Sequence, residues 1–423
     1  MNDNSLIIST GFSIFRIPTA VYRHNEKAYA PSVFSIGPYH HGKCHLKPAE
    51  RIKWNYLLGL LARLRPDDQE SQSGRLRSLT KAISRVQTEA RHAYREPIGM
   101  DTREFIQVLV LDGCFVIELF RKKAYNSVLT QLDDPIFTVS HMLQFLYHDL
   151  ILLENQVPWL VLEILFALTR APIIDKELLG ELAIEFFGDI LSISTIRSPL
   201  RKLIVLARGS KHILDLLRNS LVLSSHKIRE PGKSIAWQPM PSATSLREAG
   251  IILRKAKYSG SILDVRFRKG VLQIPSLLIH ENTESLFLNL ISFELYWPDC
   301  KGLITSYALL LDNLIQTTAD MKILCKIRVI RNWLHLGDAT QIFNHSYEDY
   351  ACVIRNNYYA ALTTEVERYC QKSRYYYIRR WQVYRGELKR VYFRRPWALI
   401  STIAASVMLI LTFLQTLFTF LYR

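Results

Sequence analysis

The chain has 423 residues, 49% hydrophobic and 22% charged, a composition that excludes a disordered linker and leaves room for a large core or for two or three ordinary domains. Its formal net charge of +16 asks for an anionic partner such as nucleic acid or anionic lipid. Six cysteines lie far apart with no C-x-x-C pair, which excludes a disulfide framework in favour of free, mostly buried thiols.

The N-terminal "MNDNSLIISTGFSIFRIPTAV" lacks a basic first segment, and Arg16 interrupts its apolar run, so it does not read as a signal peptide. From Pro31 the chain reads as a short extended piece, "SVFSI", followed by a turn at Gly37-Pro38, because a residue before proline is pushed out of the helical region. The stretch "SIGPYHHGKCH" places His40, His41, Cys44 and His45 close together, and all four carry zinc-competent atoms. Structural zinc sites, however, use ligand pairs well separated in sequence, and adjacent histidines in an extended segment point to opposite faces. A hydrogen-bonded turn is therefore preferred, and the four residues stand as weak metal candidates only.

Helix signals begin near Pro48, with Leu57, Leu60, Leu61 and Leu64 forming one apolar face. Arg65 to Gly74 is polar and reads as a loop. Helices are predicted over 75–96 and 101–123, the second capped by Asp101 or Thr102 and ending in Lys122 and Lys123, where cations favour the helix dipole. Asp112 sits inside the apolar run of that second helix. It is either a catalytic carboxylate or, as preferred here, a buried acid paired with an arginine.

Phe145 to Leu168 is a long apolar helical pattern interrupted at Pro158, where proline predicts a kink or break. His148, Asp149, Glu154 and Glu163 argue against its crossing a membrane. Further helical pieces follow over 170–240. Ile262–Phe267 and Val271–Ile274 then read as a β-hairpin around Arg268-Lys269-Gly270. Asn282 and Thr283 open another helix, and 303–316 and 319–334 read as two more. The predicted fold class is mainly α with a small β-hairpin element (α+β).

Trp397 to Tyr422 contains no charged residue and, as a helix, would extend about 39 Å, more than the ~30 Å hydrocarbon core. The aromatic ends Trp397 and Tyr422 and the preceding basic cluster, including Arg390, Arg394 and Arg395, predict one C-terminal transmembrane helix with the body on the cytosolic side. The expectation is a single-pass, tail-anchored protein whose basic flank contacts anionic lipid rather than nucleic acid. The organisation is then an N-terminal segment (1–30), a mostly helical soluble domain (31–371), a basic juxtamembrane segment (372–396) and the span (397–422).

Enzymatic signatures are missing. Gly232-Lys233-Ser234 imitates the end of a P-loop, but the first glycine of that motif would fall at Lys227. There is no H-E-x-x-H, G-x-S-x-G or strand-linked G-x-G-x-x-G. Asp149 and Glu154 are five residues apart, which does not stack them on one helical face as a general acid–base pair. No catalytic residue and no cofactor is assigned.

The blocks "SIGPYHHGK", "LDGCFVIELF", "HDLILLENQVPWLVLE", "SATSLREAGI", "LDVRFRKGVLQIPSLLI", "TESLFLNLISFE" and "TSYALLLDNLI" occur in this order. Together they closely resemble the plant family of domain of unknown function 247, from about Pro31 through the final helix. Gly37, Pro38, Tyr39, His40, His41, Gly42 and Lys43 match the family's early motif. Asp149, Leu153, Glu154, Asn155, Gln156 and Pro158 match its central motif, and Asp112 falls in the block between them. Cys44 and His45 lie just beyond the early motif, Ala49 replaces a usual methionine, and Arg328 stands near a position that is often glycine. The resemblance implies a C-terminal transmembrane helix and no established catalytic activity, and some grass relatives are pollen-side self-incompatibility determinants. The sequence-level expectation is a recognition protein with an unknown protein or peptide partner. Two alternatives are an enzyme built on His40 or His41 with Asp149 or Glu154, and a nucleic-acid-binding protein.

Overall fold

The computed structural model describes residues 11–64, 71–125, 129, 134–139, 141–170, 177–188, 209–223, 239–257, 261–297, 300–344, 357–371 and 396–421. Its helices are α1 (Thr19–His24), α2 (Lys47–Arg63), α3 (Gln72–His92), α4 (Thr102–Ala124), α5 (Pro135–Thr138), α6 (Met142–Ile151), α7 (Trp159–Leu168) and α8 (Leu179–Phe186). They continue as α9 (Ile213–Leu223), α10 (Ala243–Glu248), α11 (Thr283–Tyr296), α12 (Leu303–Leu314), α13 (Thr318–Lys326), α14 (Leu336–Asn344), α15 (Ala360–Gln371) and α16 (Pro396–Leu421). The strands are β1 (Ile252–Lys255), β2 (Arg266–Arg268), β3 (Val271–Ile274), β4 (Leu277–Ile279) and β5 (Ile330–Asn332).

α4 is the axis of the N-terminal half. It is buried almost all round from Phe105 to Arg121, as expected of a helix whose apolar residues are not confined to one stripe. α2, α3, α7 and α8 pack around it. Asp101 caps it by accepting from the Glu104 N–H at 2.7 Å, and Lys122 and Lys123 occupy its last turn, as the sequence predicts. α2 starts with Pro48 in its first turn and buries Leu57, Leu60 and Leu61. One contiguous apolar cluster links these helices to α11 and α12, reaching from Ile14 to Val366.

The predicted break at Pro158 is a complete interruption. α6 ends at Ile151, α7 begins at Trp159, and the connection between them is buried from Leu152 to Pro158. The hairpin is present as β2 antiparallel to β3, shorter than predicted on its first strand. Lys269 and Gly270 both have positive φ, 49° and 79°, the signature of a type I′ turn that suits the strand twist. β1 adds to β3 in parallel, and β4 pairs with β5 in parallel, so the β element exceeds a hairpin. The helix predicted over 319–334 stops at Lys326: Arg328 adopts φ 58°, and the chain turns into β5.

One expectation is corrected. Pro396–Leu421 is indeed a helix, of 26 residues, but among the described residues no helix is long and apolar enough to cross a membrane. The helix carries the polar side chains of Thr412, Gln415 and Thr416 within its length. The membrane-spanning part of the predicted fold class, and the tail anchor built on it, are therefore unsupported. Arg390, Arg394, Arg395 and Tyr422 lie outside the described residues, as does Cys352. Of the other cysteines only Cys114 is buried, so the expectation of mostly buried thiols is not met.

Candidate functional site

Among the described residues no strand pairs with the segment from Ser32 to Gly37, and its backbone polar groups must be satisfied some other way. Side chains supply the missing ladder. The Asp149 carboxylate accepts the N–H groups of Ser32, Val33 and Phe34 at 2.7, 2.9 and 2.7 Å. The Asn155 amide pairs as a strand would, accepting from the Ile36 N–H at 2.7 Å and donating to the Phe34 carbonyl at 3.0 Å. Lys53 donates to the Ser35 carbonyl at 2.8 Å, and Asp112 accepts the Gly37 N–H at 2.8 Å.

Gly37 ends the run at φ 78°, and a Cβ added there would lie 2.3 Å from the Gln156 carbonyl oxygen. Only glycine combines that backbone conformation with that approach. The Gln156 side chain donates to the carbonyls of Leu150 and Leu152 at 2.7 and 2.8 Å, satisfying groups that the end of α6 leaves unpaired. Tyr94 donates to the Gln156 carbonyl at 2.9 Å, and Asn289 on α11 accepts the Leu153 N–H at 2.9 Å. The α6–α7 connection is thus tied to the chain just after α3, to α11 and to the early segment together.

The two acids of the central motif diverge, consistent with their spacing. Glu154 turns away from Asp149, accepts the Ile17 N–H at 2.7 Å and lies 3.2 Å from His40 Nε2. One of the two histidines therefore does meet an acid of the central motif. The pair is sealed, with His40 only 1% exposed, and burial lowers the His40 pKa against the pull of Glu154, leaving a neutral imidazole. His148 approaches Asp149 Oδ1 and the Lys27 carbonyl, each at 3.0 Å.

Asp112 is paired, as expected of a buried acid, but with Lys53 rather than an arginine. Lys53 Nζ lies 2.5 Å from Asp112 and 2.6 Å from Glu50. Burial works to lower the lysine pKa, yet the two carboxylates together hold it above its ordinary value. The four weak metal candidates are not brought together. His40 is buried, His41 half-buried, and Cys44 and His45 are exposed, and among the described residues no group of three or more potential ligands forms. Pro38 and Tyr39 are buried beside His40, whereas Gly42 is exposed.

Sequence reasoning missed Lys53, Tyr94 and Asn289. Lys53 carried a signal, since it falls one turn before Leu57 on the apolar face of α2, where a charge demands a buried partner. Asn289 carried another, as a lone amide inside the apolar run "LFLNLISF". Chemically the assembly is a set of committed acceptors: its carboxylates and amides hold backbone groups.

A family model described as "Plant protein of unknown function" matches residues 14–411. The chain is 30% identical to UPF0481 protein At3g47200 of Arabidopsis thaliana over 95% of its own length and 85% of that protein. It is 21% identical to Putative UPF0481 protein At3g02645 of the same plant, over 95% of this chain and 89% of the relative. No solved structure matches it. The chain belongs to this plant family of unknown function.

Proposed function

We propose that this member of the plant family of domain of unknown function 247 is a recognition protein, whose helical body presents an outer surface to a protein or peptide partner. The observation that supports this reading is the burial of the motif acids. Asp149 is 0% exposed and its carboxylate is occupied by three backbone N–H groups. A catalytic acid must reach a substrate within hydrogen-bond distance; Asp149 reaches only its own chain, and the His40–Glu154 pair is sealed. The motifs serve folding, and specificity lies with exposed side chains.

Proximity labelling from the full-length protein in its native tissue tests this. The expected result is a reproducible set of labelled neighbours that a His40→Gln variant retains, because His40 is not part of the contact. Absence of any reproducible neighbour, together with turnover of a metabolite that is lost in His40→Gln, would contradict it.

A further inference from the structure

The exposed face of the three-stranded sheet carries chemistry that the folding role of the motifs does not use. In the strand register Arg254 of β1 lies opposite Gln273 of β3, and Gln273 lies opposite Arg266 of β2. Residues paired directly across strands share a face, so the three form one row, arginine–glutamine–arginine. The opposite face is the buried one, with Leu253, Leu272 and Phe267 in the core. Strands sit about 4.8 Å apart, so the two arginine backbones stand about 10 Å from each other on either side of Gln273.

A cavity of about 260 Å³ opens over this row, lined by Arg254, Lys255, Lys257, Asp264, Arg266 and Gln273, with Ala256 between the lysines. Four of these side chains are cations and one is an acid. Asp264 is already occupied, bonded to Arg266 through Nε at 2.7 Å and through Nη2. That fork fixes the Arg266 guanidinium and leaves Nη1 free of Asp264. Among the described residues the side chains of Arg254, Lys255 and Lys257 have no hydrogen-bond or ion-pair partner.

We propose that this cavity is a binding site for a small phosphate-bearing ligand carrying at least two negative charges. Two guanidinium groups and a primary amide around one centre offer several donors from different directions, which matches the three free oxygens of a phosphate monoester. Guanidinium is the side-chain group best shaped for phosphate. A nucleic-acid strand fits less well, because the lining has no aromatic ring on which bases stack, and the site is a pocket rather than a groove. Arg254 and Gln273 are exposed, so the site is reachable without rearrangement.

Calorimetric titration of the full-length protein with pyrophosphate is the test, alongside sedimentation with phosphatidylcholine vesicles containing or lacking phosphatidylinositol 4-phosphate, and titration with a single-stranded oligonucleotide. Saturable pyrophosphate binding is expected, weakened at least tenfold in Arg254→Gln and in Arg266→Gln and unchanged in Lys322→Gln, an exposed cation on α13. Binding to the phosphoinositide vesicles that pyrophosphate displaces would identify a lipid headgroup as the source. Pyrophosphate binding without vesicle binding would identify a soluble phosphate compound. Failure of both phosphate probes to saturate, equal weakening by Lys322→Gln, or binding confined to the oligonucleotide would overturn the proposal.

Discussion

Asp149 shows how much one buried side chain does in this protein. Its carboxylate holds three consecutive N–H groups, and each buried donor left without an acceptor costs about 1–3 kcal/mol. Asp149→Ala is expected to lower stability by about 1–3 kcal/mol, the cost set chiefly by the buried Phe34 N–H, read as a fall in the urea midpoint of the full-length protein. His212 gives a pH dependence of known sign. Its Nε2–H donates to the Ser13 carbonyl at 3.1 Å, while Nδ1 accepts the Asp215 N–H at 3.3 Å. A second ring proton would have no acceptor, and burial, opposed by the Ser13 bond, pulls its pKa down to about 3. Between pH ~6.5 and about 3 the unfolded chain therefore binds a proton that the folded chain refuses. This contribution is complete above pH ~6.5 and is lost as pH falls through that window, at up to ~1.4 kcal/mol per pH unit. Urea melts at several pH values should show a shallower acid loss in His212→Gln than in the native chain.

At the scale of elements, the Lys53–Asp112 pair joins α2 to α4 and also fixes Ser35 and Gly37 between them. Removing the cation alone strands a buried carboxylate, so Lys53→Met should cost about 3–5 kcal/mol. The double variant Lys53→Met with Asp112→Asn should recover much of that loss, since the amide oxygen still accepts the Gly37 N–H without a buried charge. Gly37→Ala should be more severe still, since its Cβ meets backbone rather than a movable side chain; circular dichroism and the yield of folded protein would read it. The helices were legible because apolar spacing and capping residues are local, as at Asp101 and Pro48. β1, β4 and β5 were not, since strands of three or four residues carry too little alternation, and Leu277–Ile279 is buried throughout. The motifs were visible as residues, but their pairing joins positions more than a hundred apart in sequence, as His40 with Glu154, and local spacing holds no record of that.

For the whole molecule, the segment 32–37 and the central motif are the two halves of one clamp, which also takes in Ile17 through Glu154 and α11 through Asn289. The proposed recognition role depends on that clamp holding a rigid body whose outer faces are free for contact. If the clamp is intact in solution, the amides of Ser32, Val33, Phe34, Ile36 and Gly37 exchange only when it opens, because each donates to a side chain held by the core. Native-state hydrogen exchange of the full-length protein, followed by mass spectrometry over the peptide covering 32–37, measures this directly. The account predicts strong protection there, collapsing in Asp149→Ala. Rapid exchange in the native chain would contradict it and would place these residues in a mobile, solvent-reachable segment.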